Sequence, residues 1–491
     1  MKTVTDIWSL YEKGVRRHER MGLRSDTERA WHFYEGDQWY GLESKEQLPI
    51  YNFIAPTVKY KVASVAMNHM QIYFSPLHTG ERESRLAAAL NSLAARWWEQ
   101  HRMDSICWKM LEESAVAGDS YLYIYNERGD CQVLDNVSVF LGDESERDVQ
   151  KQPYIILFER RDAEQLRELA IKAGVPAEEA AKILPDAYGK KNTEDDGKCT
   201  CLLYIQKVGE DVQFVRSTKY VELGPRQCIT GLGCYPLVSL VTGARKGSAR
   251  GRGEVTPLIQ NQIEVNRNLA RRIINAKMTA YSRLVYATDK IDNPESLAEV
   301  GSAIAVSDST IADVHSAVGY VTPSPMSADA KGISDELMHT TRELAGAGQA
   351  LTGNIDPTLA SGAAIIAVRD QAQIPLNEHT AAFKSFVESV ARVWYHLWIC
   401  YLPLSFGVNE DNFTALELKG LRPFIRVDAT STTPFSKYAR EQALERLLEK
   451  GIIDFSEYVE ALDEDSSVPK AQLISILKNR KENINGVITE Q

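Results

Sequence analysis

Long apolar runs are missing from this chain. No stretch of about 18 or more apolar residues occurs; the nearest, "VARVWYHLWICYLPL", carries Arg392 and His396 and is too short to span a bilayer. That absence argues against a membrane-spanning role. A secretory pattern is missing as well: "MKTVTDIWSLYEKGVRRHERMG" sets Trp8, Leu10 and Tyr11 among charges, with no apolar core and no small-residue cleavage site. The expectation is a soluble intracellular protein with no membrane partner. Basic charge is also in short supply, 56 Lys and Arg against 67 Asp and Glu, for a net charge of −11. A protein that wraps nucleic acid by neutralising phosphates needs the opposite balance, so any DNA contact is expected to be loose or confined to small patches.

Cysteine is sparse, seven scattered residues and an odd number, which fits a reduced compartment better than a disulfide framework. Cys199, Cys201, Cys228 and Cys234 would be the one conceivable thiolate group, but one residue separates the first pair and five the second. That spacing matches none of the usual zinc knuckles, and small residues packed in sheet are the expectation, with no metal and no cofactor. Catalytic signatures are missing too: there is no His-Glu-x-x-His, no Gly-x-Ser-x-Gly and no Cys-x-x-Cys, and the nine histidines lie apart. The acidic clusters Glu194-Asp195-Asp196 and Asp463-Glu464-Asp465 would suit a carboxylate-dependent nuclease, yet both sit beside turn formers and read as solvated loop charge. Trp97, Trp98, Trp394 and Trp398 fall on helix patterns and read as core, not as platforms for stacked bases.

What is present is the composition of a core-forming protein, 44% hydrophobic and 25% charged. The first hundred residues are helix-dominated; Val58, Val62, Val65 and His69 fall at spacings of three and four and predict an amphipathic helix begun just after Pro56. Between residues 121 and 241 short β-like runs take over ("YLYIYN", "YIILFERR", "LLYIQKV", "YPLVSLV"), interrupted by the helical "DAEQLRELAIKAGVPAEEAAKIL". The class expected is α+β, mainly helical. A helix follows residue 254, with Ile259, Ile263, Asn266, Leu269 and Ile273 along one side and Glu264, Arg267, Arg271, Arg272 and Lys277 crossing it. A second helix follows Ser327, a plausible N-cap, and the two bracket a small module that they can hold at their far ends. The loop "TGNIDPTLASG" then opens into a helix over 363–401, kinked at Pro375 by the lost backbone bond. Short helices close the chain, with Gly451 and Pro469 near their breaks.

Residues 242–254, "TGARKGSARGRGE", hold four glycines and four basic residues in thirteen positions, directly after a strand pattern. A phosphate loop needs Gly-x-x-x-x-Gly-Lys-[Ser/Thr], whereas here Lys246 precedes Gly247 and no such triplet occurs. The dinucleotide pattern lacks its third glycine, and Glu254 would place a carboxylate at the helix N-terminus where a phosphate would bind. A nucleotide-hydrolysing enzyme built on this loop, or a carboxylate-dependent nuclease, is the rival to a non-enzymatic reading.

Together these features resemble the portal proteins of tailed bacteriophages, of the siphophage type from Gram-positive hosts. "FYEGDQW" at 33–39 and "NFIAPTVKYKVASV" at 52–65 are similar to the family's N-terminal region. "GRGEVTPLIQNQIEVNRNLARRIINA" at 251–276 resembles its first stem helix, and "TGNIDPTLASGAAIIAVRDQ" at 352–371 its tunnel loop and long helix. The resemblance implies a phage portal fold: a wing (1–242), a first stem helix with its leading loop (243–281), a clip (282–326), a second stem helix (327–351), a tunnel loop (352–362), a long kinked helix completing the wing (363–433) and a crown (434–491). It implies no catalysis. It implies instead a homo-oligomeric ring, usually a dodecamer, assembled in the host cytoplasm and resident at the capsid portal vertex of the virion. Double-stranded DNA would be packaged and ejected through its tunnel. Terminase large subunit, major capsid and scaffolding proteins and head-tail adaptor proteins would be its partners. Asn354, Ile355, Asp356, Thr358 and Leu359 would lie nearest DNA, and Glu264, Arg267, Arg271 and Lys277 would be tunnel or inter-subunit stem charges. Arg245, Lys246, Arg250 and Arg252 would contact another subunit or the capsid, with Glu254 favouring the helix start.

Overall fold

Local signals account for most of the helices. In the computed structural model, which describes residues 2–40, 48–77, 80–186, 197–280, 283–298, 303, 305, 318–321, 329–345, 374–402, 405–406, 412–431, 442 and 444–462, helix α1 (Val4–Met21) opens on a capping box. The Thr3 hydroxyl accepts from the Asp6 N–H at 3.2 Å while the Asp6 carboxylate accepts from the Thr3 N–H at 2.9 Å. Gly22, at φ +66°, ends α1 and begins α2 (Leu23–Glu35). Helix α3 (Ile54–Ala66) carries Pro56 inside its first turn, where a missing N–H costs nothing. The sequence reading placed this start after Pro56 and ran the helix to His69; the helix instead stops at Ala66, and His69 belongs to strand β1 (Asn68–Ser75).

Helices α4 (Glu81–Gln100) and α5 (Met103–Ala117) lead into a three-stranded antiparallel sheet, in which β2 (Asp119–Tyr125) lies between β3 (Asp130–Asp135) and β9 (Leu237–Val241). A second antiparallel sheet runs in sequence order from β4 (Val139–Leu141) through β5 (Ile155–Asp162), β6 (Lys198–Val208) and β7 (Asp211–Ser217) to β8 (Gln227–Ile229). The helical insertion between β5 and β6 is α6 (Ala163–Lys172) with the short α7 (Ala177–Ala180). On one face of this sheet, α1 lays Ile7 and Tyr11 against Phe140, Phe158 and Leu202. A satellite core joins Leu166 and Ala170 to Cys199 and Cys201.

Beyond β9 come α8 (Ile259–Ala280), the strand pair β10 (Arg283–Tyr286) and β11 (Val318–Val321), α9 (Asp329–Leu344) and α10 (Asn377–Tyr401). After α10 follow β12 (Ser405–Phe406), β13 (Phe413–Thr414), α11 (Ala415–Leu421), β14 (Phe424–Ser431) and α12 (Phe455–Ala461). Strand β14 pairs antiparallel with β1 along its whole length, from Asn68 opposite Ser431 to Ser75 opposite Phe424, so the late chain closes onto the early chain. The protein is mixed α+β and 53% helical, which bears out the class read from the pattern.

The main core centres on α10. Trp394 and Trp398 are fully buried, and the Trp97 ring meets them edge-on at 5.7 and 5.4 Å, as Trp98 meets Trp394 at 6.5 Å. Three of the four tryptophans read as core are buried and Trp97 packs against them. Trp394→Ala is expected to lower unfolding free energy by about 3–5 kcal/mol in urea titration. Trp108→Ala, at a position 42% exposed, should stay within about 0.5 kcal/mol of the parent.

Candidate functional site

Residues 242–254 are stitched to the end of α5. Strand β9 delivers Thr242, whose N–H donates to the Ser114 hydroxyl at 3.2 Å and whose hydroxyl donates to the Ser114 carbonyl at 3.1 Å. The chain then folds back on itself: Arg252 N–H donates to the Gly243 carbonyl at 2.7 Å, Glu254 N–H to Ala115 at 2.8 Å and Ala249 N–H to Glu144 at 2.7 Å. The glycines are dictated by this crossing. A Cβ at Gly251 would sit 2.0 Å from the Gly118 carbonyl oxygen, and one at Gly253 2.0 Å from that of Val116. The amides of Ala249, Arg250, Gly251, Arg252 and Glu254 donate to acceptors within the chain.

Arg250 departs from the expectation that it contacts another subunit or the capsid. Its side chain is 2% exposed and cannot meet a neighbouring subunit. The Nη2 group donates to the Val139 carbonyl at 2.6 Å and to Glu144 Oε1 at 3.0 Å, and lies 3.0 Å from His18 Nε2. Nη1 donates to the Asn136 carbonyl at 2.9 Å and to Asp119 Oδ2 and the Tyr121 hydroxyl at 3.3 Å, and Nε donates to Glu144 Oε2 at 2.8 Å. One guanidinium thus ties α1, β2 and the β3–β4 connection to the loop before α8. His18 Nε2 also lies 3.4 Å from Glu144 Oε1, so the imidazole shares this carboxylate with Arg250, and its Nδ1 is buried without a partner among the described residues. Burial lowers the His18 pKa, and the contact with Glu144 opposes that shift. Burial alone would raise Glu144, but Arg250 and His18 outweigh it and hold the carboxyl near about 2. Of the other basic residues, Arg245 is half-buried, and Lys246 and Arg252 are exposed.

Glu254 does not cap α8, which starts five residues later through a 3-10 turn at Thr256–Leu258 with Pro257 near its beginning. Its carboxylate instead bridges Lys61 of α3 and His379 of α10. Burial would raise its pKa; His379 and Lys61 reverse that and lower it. Three elements therefore converge on one carboxylate, and spacing within any one of them could not have announced it.

The buried face of α8 also differs from the expected stripe. Of that stripe only Ile259 and Asn266 are buried, and they share the face with Gln262, Val265 and Ala270, while Ile273 is exposed. The helix is rooted by polar contacts. Gln262 accepts from Phe53 N–H at 3.1 Å and donates to the Tyr51 carbonyl at 2.6 Å; Asn266 accepts from Tyr51 N–H at 3.0 Å and donates to Gln38 Oε1 at 2.5 Å. Sequence reasoning missed Gln262 as an anchor. The available signal was two amides at i, i+4 on a face with Ile259.

Helix α9 lies antiparallel to α8, since Asn261 donates to the Thr341 hydroxyl at 2.9 Å and Asn268 to the Ser334 hydroxyl at 2.6 Å. Beyond Ala270 no residue of α8 is buried: Ile273, Ile274 and Met278 are 37%, 45% and 45% exposed, and Ile333 on α9 is 59% exposed. Glu264 pairs with Arg267 at 2.9 Å, both about half exposed; Arg271 and Glu264 line a groove of ≈ 280 Å³ between the helices, and Lys277 is exposed.

Asn354, Ile355, Asp356, Thr358 and Leu359 lie outside the described residues, as do Ser327, both acidic clusters and 363–373. Pro375 sits in a 3-10 turn, Ile374–Leu376, that leads directly into α10. Cys199 and Cys201 are buried in the satellite core, their thiols pushed up by burial to about 11 and about 12; Cys234 is in the main core and Cys228 is exposed. Among the described residues no group of three or more His, Cys, Asp or Glu could hold a metal ion.

No known family model matches the chain, and no curated protein matches it.

Removing the guanidinium should leave two buried carboxylates unpaired. Arg250→Met is expected to cost about 3–5 kcal/mol in urea unfolding. Glu144, lowered from 4.5 to about 2, stabilises the fold fully above its unfolded pKa and loses that contribution as pH falls through the folded value. The stability gap between the parent and Glu144→Gln should therefore be constant above about pH 5 and close between pH 4.5 and about 2.

Proposed function

We propose that this chain is a portal-type subunit, a non-enzymatic ring that conducts double-stranded DNA through one capsid vertex and docks the packaging motor and the tail connectors. The observation that carries this reading is the α8–α9 pair, which is fastened to the body at one end and exposes Ile273, Ile274 and Met278 toward the other, with Ile333 exposed midway along it. Apolar side chains left about half exposed on a pair of helices favour a partner, and burying the remainder of each is worth about 1 kcal/mol. Copies of the same chain, each contributing two different faces, would supply it in a closed head-to-tail ring. The collinear likeness of 33–39, 52–65, 251–276 and 352–371 to phage portals supports the same reading.

On this plan 1–242 and 363–433 are the wing, 243–281 and 327–351 the stem, 282–326 the clip, 352–362 the tunnel loop and 434–491 the crown. A net charge of −11 per subunit would make the ring predominantly negative, so that DNA phosphates are repelled and slide. Exposed Arg267, Arg271 and Lys277 would give weak, salt-sensitive contacts with DNA or with the next subunit. Force for DNA movement would come from the terminase ATPase, consistent with a loop in which the amides of Ala249, Arg250, Gly251, Arg252 and Glu254 already donate within the chain.

Light scattering on the purified chain, 55.0 kDa, is expected to give a single species of several hundred kilodaltons with no ATPase or nuclease turnover. Ile274→Asp with Met278→Asp should release folded monomers. A wild-type monomer that hydrolyses ATP would overturn the proposal.

A further inference from the structure

The ribbon of β1 and β14 has two edges that the chain treats differently. On the β1 side, Asn91 of α4 closes the edge: its Oδ1 accepts from the Phe74 N–H at 2.6 Å and its Nδ2 donates to the Phe74 carbonyl at 3.4 Å. These contacts set the phase of the ladder. Phe74 stands opposite Ile425, and when one member of an antiparallel pair turns both main-chain groups outward, the pair is a non-hydrogen-bonded one and its other member does the same. Ile425 therefore presents its N–H and carbonyl on the far side of β14, and Val427, two residues on, repeats it. No strand pairs with that side, and among the described residues nothing takes these groups.

A groove of ≈ 770 Å³ runs there. Its one wall is residues 422–428 in unbroken succession; side chains of a strand alternate between faces, so an unbroken run means that the groove follows the edge. Its other wall is a row along α10 at i, i+4 spacing that includes Lys384, Glu388 and Arg392. Lys384, Arg392, Arg422 and Arg426 face only two carboxylates, Glu388 and Asp428, and none of the four cations has an ion-pair partner among the described residues. Phe424, 65% exposed, stands at its end.

We propose that this edge receives an extended acidic segment of a partner protein, which adds to the ribbon as a third strand. Its amides would pair with Ile425 and Val427, and alternate carboxylates would face Lys384 and Arg392. A strand of about six residues matches the length of the wall at roughly 3.3 Å per residue. The charge of the groove selects the partner: it is cationic on a molecule of net charge −11.

The test uses the full chain and three fluorescein-labelled octapeptides: alternating Val and Glu, alternating Val and Lys, and the Val/Glu peptide N-methylated at alternate amides. Anisotropy should show saturable binding of the acidic peptide alone, weakened by about tenfold or more in high salt and by a similar factor in Arg392→Glu with Arg426→Glu. Both substitutions fall on exposed side chains, and far-UV circular dichroism should be unchanged. Equal binding of the acidic and basic peptides, or undiminished binding of the N-methylated one, would overturn the proposal. A fall in assembly mass in the double variant, with the acidic peptide excluded from assembled wild type, would assign the edge to a second copy and overturn the partner.

Discussion

Burying a guanidinium is costly unless every one of its donors is met and its charge is compensated, and Arg250 satisfies both conditions at the point where the chain leaves β9 for α8. Glu144 and Asp119 supply the charge, while carbonyls of Asn136 and Val139 take remaining donors. The arrangement is geometrically demanding. It requires α1, β2 and the start of β4 to arrive together, and it fixes the path of 242–254 before α8 begins. Gly251 and Gly253 allow the backbones to cross at that spot, and Glu254 carries the same fixation onward to α3 and α10.

The consequence is a contrast along one helix. Near its start α8 is held by Gln262 and Asn266 on the main chain of Tyr51 and Phe53, contacts with defined direction. Past Ala270 none of its residues is buried, and apolar side chains remain in contact with water. A rigid root with an unpartnered end suits a part whose position is completed by other copies. The portal reading gives that unpartnered end an occupant and gives the acidic surface a purpose, since a wall that repels phosphate does not hold DNA in place.

Much of the architecture was legible in residue patterns. The β-runs between 121 and 241 and the helical insertion at α6 follow local periodicity, and Trp394 and Trp398 read as core because their i, i+4 spacing puts them on one helix face. The helix expected to run to His69 takes in the first residues of strand β1, because the partner of that strand, β14, lies hundreds of residues away and no local pattern encodes the ladder. The face of α8 was misjudged for a different reason. Periodicity places Asn266 on the inner face but passes over Gln262, which is buried because the main chain of Tyr51 and Phe53 offers it partners. Arg250 was misread by the same logic, a charge in a glycine-rich loop being taken as solvent-facing until the carboxylates that surround it were placed in space. Asn354, Ile355, Asp356, Thr358 and Leu359 rest on family likeness alone.

The central claim is that copies of this chain complete one another around an axis. Electron micrographs of the purified wild-type protein, classified into end-on and side views, test it most directly. The account predicts closed rings with a central hole, the stem protruding on one side of a broader body. Particles the size of a single chain, or open filaments from a head-to-tail contact that fails to close, would contradict it.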